Sequence, residues 1–428
     1  MRKLWGENTE SSLNNFKIGS NVMPYEIIRA ITTIKLCAAK VNVACGKLSK
    51  EKSFAIIDSC EKILSGEVDP EQFPLTVWQT GSGTQTNMNV NEVIAGLADM
   101  SLHPNDDVNM SQSTNDVFPS AIHIAVNELI INKLEPVIQA IIKTLMKLER
   151  DNGEIVKMGR THYQDATPVK FSDEVSGWRV SLEESLKMIN AAMTFTGGLA
   201  IGGTAVGTGI NAPKGFGDSV TERINKLTKY RYHSLSNKFY GLTSKDAVVF
   251  LHGAFKALAC NLIKIANDIR LLNSGPRSGL NEITLPANEA GSSIMPGKVN
   301  PTQCEALAMV CAEVLGNDTT VGFAASQGSL ELNVYMPVIA FKMIESINLL
   351  ADSILSFDAL CISRIKVNAK IMQNYIDRSL MLVTKLSPVI GYDKCAEIVK
   401  IALDKDITLK EAAISSGYIN TVDYDRYI

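Results

Sequence analysis

The chain has 428 residues, of which 46% are hydrophobic and 20% charged, and a formal net charge of −3. That length is ample for a large core in two or three domains or one extended helical body, and the near-balanced charge excludes a basic nucleic-acid-binding face and a charged tail. Eight cysteines with no C-x-x-C pair, and five histidines with no metal-ligand spacing, argue against a disulfide framework and against a bound metal.

In chain order, the N-terminal "MRKLWGENTESS" lacks the apolar core of a secretory signal, which fits a cytoplasmic chain. "TGSGTQTNMN" (80–89) follows, with Asn89 and Glu92 in a capping-box pattern. Its "GSGT" has no Walker lysine. Ser82 and Thr84 flank a glycine whose backbone can approach a ligand closely, so turn formation and carboxylate binding are both open readings of this segment. In "HPNDDVNMSQSTND" (103–116), His103 precedes a turn set by Pro104 and Asn105, and "STND" reads as a helix N-cap.

From Pro119 to about Arg150 apolar residues occupy most faces of a helical pattern, with a kink expected at Pro136. "GRTHYQDAT" (159–167) is again polar, and Thr167 is placed to cap a helix from about Pro168 to Met193. "GGTAVGTG" (202–209) contains no G-x-G-x-x-G and reads as turns. The most apolar stretch, within a helix expected over Lys245–Ser274, is interrupted by His252, Lys256 and Lys264, so it reads as a buried helix rather than a membrane span. Cys37, Cys60, Cys260, Cys311 and Cys395 lie in apolar helical stretches as small buried residues.

"GSSIMPGKVNPTQCEAL" (291–307) is a Gly/Ser/Pro loop carrying Lys298 and running into a helix start. Asn300 suits the cap, Pro301 the first helical position, and Gln303 the reach back of a capping box. The free N–H groups and positive dipole end there favour a bound anion. Helical periodicity continues to Leu360, with breaks expected near Gly316, Gly328 and Pro337. The apolar stripes are too wide for coiled-coil seams. The pattern predicts an all-α fold: a central bundle over 111–367 between smaller helical domains at 1–110 and 368–428.

Four long helices are thus each preceded by a loop dense in Ser, Thr, Asn and His. Singly, ordinary structural roles satisfy each one, including His162 beside Thr161, and His123 and His252 on apolar helices. Together they have the placement expected of a site built at the ends of bundle helices.

The motifs also resemble a known family. "GSSIMPGKVNPTQCEAL" is similar to the signature loop of the fumarase/aspartase superfamily. "WQTGSGTQTNMNVNEV", "HPNDDVNMSQSTNDVFP", "GRTHYQDATP", "GGTAVGTGIN", "NKFYGLTSKDA" and "SGPRSGLNEITLPANEAGSS" resemble class II fumarases within it. The resemblance extends from "KLWGENTESSLNNF" to "DITLKEAA", nearly the whole chain. Aspartases usually carry glutamine at the position of His162, whereas "STND", with Thr114 where many fumarases have serine, leans toward aspartase but keeps the hydroxyl.

The resemblance implies a lyase of the tricarboxylic acid cycle that removes water from (S)-malate in an anti sense, reversibly, to give fumarate. It implies Ser292 as the base and Lys298 and Asn300 as holders of a carboxylate. Ser82, Thr84, Ser113, Thr114, Asn115 and Thr161 would bind substrate oxygens. His162 would stand near the leaving hydroxyl, with Glu305 orienting it or its neighbour. It further implies no cofactor, and a homotetramer whose active sites each draw on three subunits. His103 and Asp106 would belong to a secondary dicarboxylate site, although the preceding segment is short ("IAGLADMSL") and Met100 stands where relatives often have a basic residue. An aspartate ammonia-lyase and a catalytically silent scaffold of the same fold are the rival readings.

Overall fold

In a computed structural model, residues 3–289 and 291–428 are described. The chain is 64% helical, and the sheets among the described residues are all two-stranded, so the fold is all-α. It divides into two compact units. One comprises Met1–Gln139, Glu184–Leu262 and Met309–Ile354; the other comprises Ala140–Glu183, Ile263–Ala308 and Leu355–Ile428.

The first unit begins with α1 (Glu7–Asn15), α2 (Tyr25–Ala44) and α3 (Lys50–Ser65), followed by α4 (Thr84–Leu97) and α5 (Thr114–Leu129). Glu92 does not cap its own helix. Its carboxylate accepts the N–H groups of Gly6, Asn8 and Thr9 and the Thr9 hydroxyl, at 2.6–3.1 Å, and so closes the start of α1. Helix α4 starts five residues before Asn89, from Gly83 in a left-handed conformation, and Asn89 donates to the Gln72 carbonyl instead. The capping box expected of "STND" is present: Ser113 and Asp116 bond each other's backbone at the head of α5.

Helix α5 runs through a π-turn at Ile130–Leu134 into α6 (Glu135–Asp151). The irregularity therefore lies just before Pro136 rather than at it. Proline has no N–H and its ring crowds the carbonyl four residues back, and widening the preceding turn relieves both.

Residues 156–170 are not a loop before a helix but an antiparallel hairpin, β1 (Val156–Thr161) with β2 (Gln164–Lys170). The helix α7 (Phe171–Met193) starts only after it. Thr167 and Pro168 lie in the second strand, so Thr167 caps nothing.

After two short helices, α8 (Phe216–Ile224) and α9 (Lys238–Thr243), come the long α10 (Asp246–Leu272), α11 (Thr302–Ala325) and α12 (Met336–Leu360). Helix α11 passes through Gly316 without a break, because a helix interior tolerates one glycine at about 1 kcal/mol. The breaks near Gly328 and Pro337 are a small hairpin, Gly328–Ser329 with Leu332–Asn333, and the first turn of α12. Gln303 accepts from the Ser356 hydroxyl at 2.7 Å in place of the expected reach back to the helix start.

Helix α10 is long and apolar enough to cross a membrane, and half of its apolar window is buried in the fold. His252, fully buried on it, meets Asp318 and Ser346 through its two ring nitrogens at 3.1 and 2.9 Å. It is a core helix. All eight cysteines are free; Cys260 is exposed rather than buried, as is Cys45. The C-terminal residues pack around their own core of Leu386, Ile398, Leu409, Ala412 and neighbours.

Candidate functional site

Within the first unit, the heads of α4 and α5 hold five of the expected residues. The Ser82 and Thr84 hydroxyls are 2.8 Å apart. The glycines between and before them are packing requirements: a β-carbon on Gly83 would sit 2.3 Å from the Phe118 ring, and one on Gly81 would sit 1.5 Å from the Val334 carbonyl oxygen. These contacts bring the two hydroxyls to the start of α4, the positive end of the helix dipole, where the Thr86 N–H donates to the Gln79 side-chain oxygen at 2.9 Å.

Thr114 is nearly buried and accepts a 3.0 Å bond from the Asn87 amide. Asn115 donates to the Ala205 carbonyl at 2.8 Å. The glycine-rich 202–209 segment folds over the head of α5: its Gly202 and Thr204 N–H groups bond the buried Asp116 carboxylate at 2.8 and 2.9 Å. Burial raises the Asp116 pKa, and the N–H donors at Ser113, Thr204 and Gly202 oppose that rise. The anion held by this loop is thus internal.

Lys35, Asn87 and Asn109 also lie here, and no sequence pattern pointed to them; Asp116 was read only as part of the "STND" cap. Lys35 is fully buried and donates to the Asn109 side-chain oxygen at 2.6 Å. Burial pulls its ammonium group down to about 7, against the pull of Asp116. Its only signal in the sequence was a lysine among apolar neighbours in "TTIKLCAAK".

His103 sits elsewhere in this unit, at the start of a single π-turn over Pro104–Val108. Its Nδ1 accepts the Asp106 N–H at 3.0 Å, and the Asp106 carboxylate lies 3.2 Å from the same nitrogen.

In the second unit, Thr161 ends β1 and His162 forms the tip of the hairpin with Tyr163. Both tip residues have positive φ, 57° and 61°, the pair of left-handed residues that a two-residue hairpin turn of the primed type demands. Such turns normally use Asn or Gly. A histidine and a tyrosine there, both exposed, carry backbone strain that local sequence preference does not explain.

The hairpin is braced from below. Lys157 and Glu282, both buried, are 2.7 Å apart; Lys157 also meets Glu174 at 2.8 Å, and Arg160 meets Glu282 at 2.8 Å. The Arg160 guanidinium lies over the Tyr375 ring. Lys157, Arg160 and Glu174, together with His162 and Tyr163, line a cavity of about 220 Å³.

The loop after Gly291 is closed at its base. Asn300 donates its side-chain amide to the Gly291 carbonyl at 2.5 Å, and Thr302 donates to Glu289 at 2.8 Å. Inside the loop, the Ser292 hydroxyl oxygen accepts the main-chain N–H groups of Met295 and Ile294, at 2.9 and 3.2 Å. Two dipoles aimed at that oxygen favour its deprotonated form. Lys298 and Glu305 are exposed. Among the described residues no hydrogen bond joins His162 to Ser292, Lys298, Asn300 or Glu305, and no residue of this loop lines the His162 cavity.

A lyase family matches residues 1–316, and a family described as the fumarase C C-terminus matches residues 382–428. The chain is 54% identical, over 431 residues, to the class II fumarate hydratase of Listeria monocytogenes serovar 1/2a, covering 100% of this chain and 94% of the relative. It is 52% identical, over 435 residues and with the same coverage, to the class II fumarate hydratase of Staphylococcus aureus strain MRSA252. Among solved structures, it is similar to a recombinant class II fumarase from Schistosoma mansoni, with a TM-score of 0.97 at 39% identity, covering 100% of this chain and 95% of the other.

Proposed function

The chain belongs to the class II fumarate hydratase family of lyases, and from that premise we propose how its residues carry out the reversible anti elimination of water from (S)-malate to fumarate. The reading is carried by one observation, the pair of main-chain N–H groups on the Ser292 oxygen.

The hard step is removal of a proton from the carbon next to a carboxylate. Ser292, as its alkoxide, takes the C3 proton, and the electron pair left behind spreads into the adjacent carboxylate. Lys298 and Asn300 hold that carboxylate and stabilise its extra charge; losing one such donor typically costs about 10²–10³ in rate. The pair then forms the double bond as the C2–O bond breaks on the opposite face. The departing hydroxyl takes a proton delivered through His162 or a water held by it, with Glu305 orienting this acid, and leaves as water. Ser82, Thr84, Ser113, Thr114, Asn115 and Thr161 bind the remaining carboxylate and hydroxyl oxygens.

The residues of this mechanism are brought together in a homotetramer, each site drawing on three subunits. Supporting this, Met146, Met188, Phe250, Met309, Phe323 and Leu355 are about half exposed or more on the long helices of the single chain, and so much apolar surface favours association. Sedimentation giving a monomer with full activity would rule it out. The enzyme acts in the cytoplasm. A secondary dicarboxylate site at His103 and Asp106 is weak, because the Asp106 carboxylate stands 3.2 Å from the His103 imidazole and repels an anion.

The test is to incubate the purified protein separately with (S)-malate and L-aspartate and follow fumarate by its ultraviolet absorbance. Fumarate forms from malate and not from aspartate. Formation from aspartate alone would establish an ammonia-lyase instead.

A further inference from the structure

The Thr114 hydroxyl has one oxygen and one hydrogen to place. Its oxygen already accepts from the Asn87 side-chain amide at 3.0 Å, and among the described residues its hydrogen has no acceptor. The hydroxyl is therefore oriented to give its hydrogen away. That orientation depends on which way the Asn87 amide faces, and an asparagine amide can turn over, exchanging donor for acceptor.

Lys35 removes that freedom. In its protonated form the buried amine has only hydrogens to offer, so Asn109 presents its oxygen, 2.6 Å away. That same oxygen lies 3.2 Å from the Asn87 side-chain nitrogen, so Asn87 must present its NH₂ group to Asn109 and, with the second hydrogen, to Thr114. A turned Asn87 would face oxygen to oxygen at Asn109 and would draw the Thr114 hydrogen inward. The Asn87 oxygen is itself buried without a partner. A buried polar atom left so is costly, and the two bonds of the Asn87 NH₂ group to Asn109 and Thr114 oppose that cost.

We propose that Lys35, acting through Asn109 and Asn87, is a positioning residue that commits the Thr114 hydroxyl to donate its hydrogen to a substrate carboxylate. This rests on the reading of Thr114 as a substrate-binding residue. Lys35 touches no substrate. It sets the sense of a chain of hydrogen bonds whose last member does.

The experiment is a double-mutant cycle on the full-length protein, reading KM and kcat for (S)-malate together with Tm. Thr114→Val raises KM by about tenfold, as expected for one lost hydrogen bond. Lys35→Met raises it by a comparable factor, with kcat changed by no more than about twofold, because uniform substrate binding is what is lost. Added to Thr114→Val, Lys35→Met then has no further effect on KM. If the two effects multiply instead, Lys35 acts only on the fold and the proposal is overturned, while the reading of Thr114 stands. If Thr114→Val leaves KM unchanged, the substrate-binding reading fails and the relay fails with it. Should Lys35→Met not fold, Asn87→Leu removes the direct donor to Thr114 with the lysine intact, and the same comparison decides.

Discussion

The α-carbon of Gly291 lies so close to the main-chain carbonyl of Lys298 that a β-carbon there would be 1.5 Å from its oxygen. No side chain fits, and the loop carrying Ser292 closes on itself only because residue 291 has none. Gly291→Ala is expected to force the loop open and displace Ser292 and Lys298. A misplacement of about 1 Å can cost on the order of 10²-fold in rate, and loss of that size is expected in kcat/KM. Because the loop is largely exposed, Tm should hardly move. Wild-type activity in this variant would detach loop closure from catalysis.

Ser292→Ala removes the proposed base but leaves the two N–H groups in place. Turnover should fall by about 10²–10⁴, the usual range for a general base, with the elution volume on size-exclusion chromatography the same as for the wild type. Near-normal activity would remove Ser292 from the mechanism.

Glu282 is fully buried between Lys157 and Arg160. In Glu282→Ala the Lys157 ammonium stays buried with only Glu174 to meet it, and breaking such a pair from one side typically costs about 3–5 kcal/mol. The thermal midpoint is expected to drop by several degrees, and activity to fall with it because the hairpin bearing His162 loses its brace. A drop in Tm with kcat/KM unchanged would show that the brace does not position His162.

Glu92 gives a pH-dependent prediction. Burial raises its pKa, but the hydrogen bonds from Thr9, Asn8 and Gly6 outweigh burial and hold it below its ordinary 4.5. A carboxyl group lowered on folding adds stability above its unfolded value, and that stability is lost as pH falls through the folded one. The wild type should therefore weaken below about pH 4.5. Glu92→Gln should be less stable at neutral pH by about 1–2 kcal/mol, as for a lost helix cap, and should show a flatter loss of Tm below that point. Identical pH profiles would mean that the α1 cap does not depend on the charge.

What the sequence determined by itself was whatever is decided within a turn or two of chain. The long helices were legible in their apolar periodicity, the head of α5 in "STND", and the Ser292 loop in its glycine and proline density. Those signals are local because helical hydrogen bonds and caps span three or four residues.

The tertiary structure decided the rest. Glu92 looked like half of a cap on its own helix, yet its partners lie more than 80 residues away. "GRTHYQDATP" looked like a helix leader, but pairing of β1 with β2 places His162 at a strained tip that neither residue's own preference favours. Lys35 looked like any helical lysine until packing left it no solvent, and then its charge had to be met by Asn109. Burial and long-range pairing depend on which segments meet in space, and no window of a few residues contains that information.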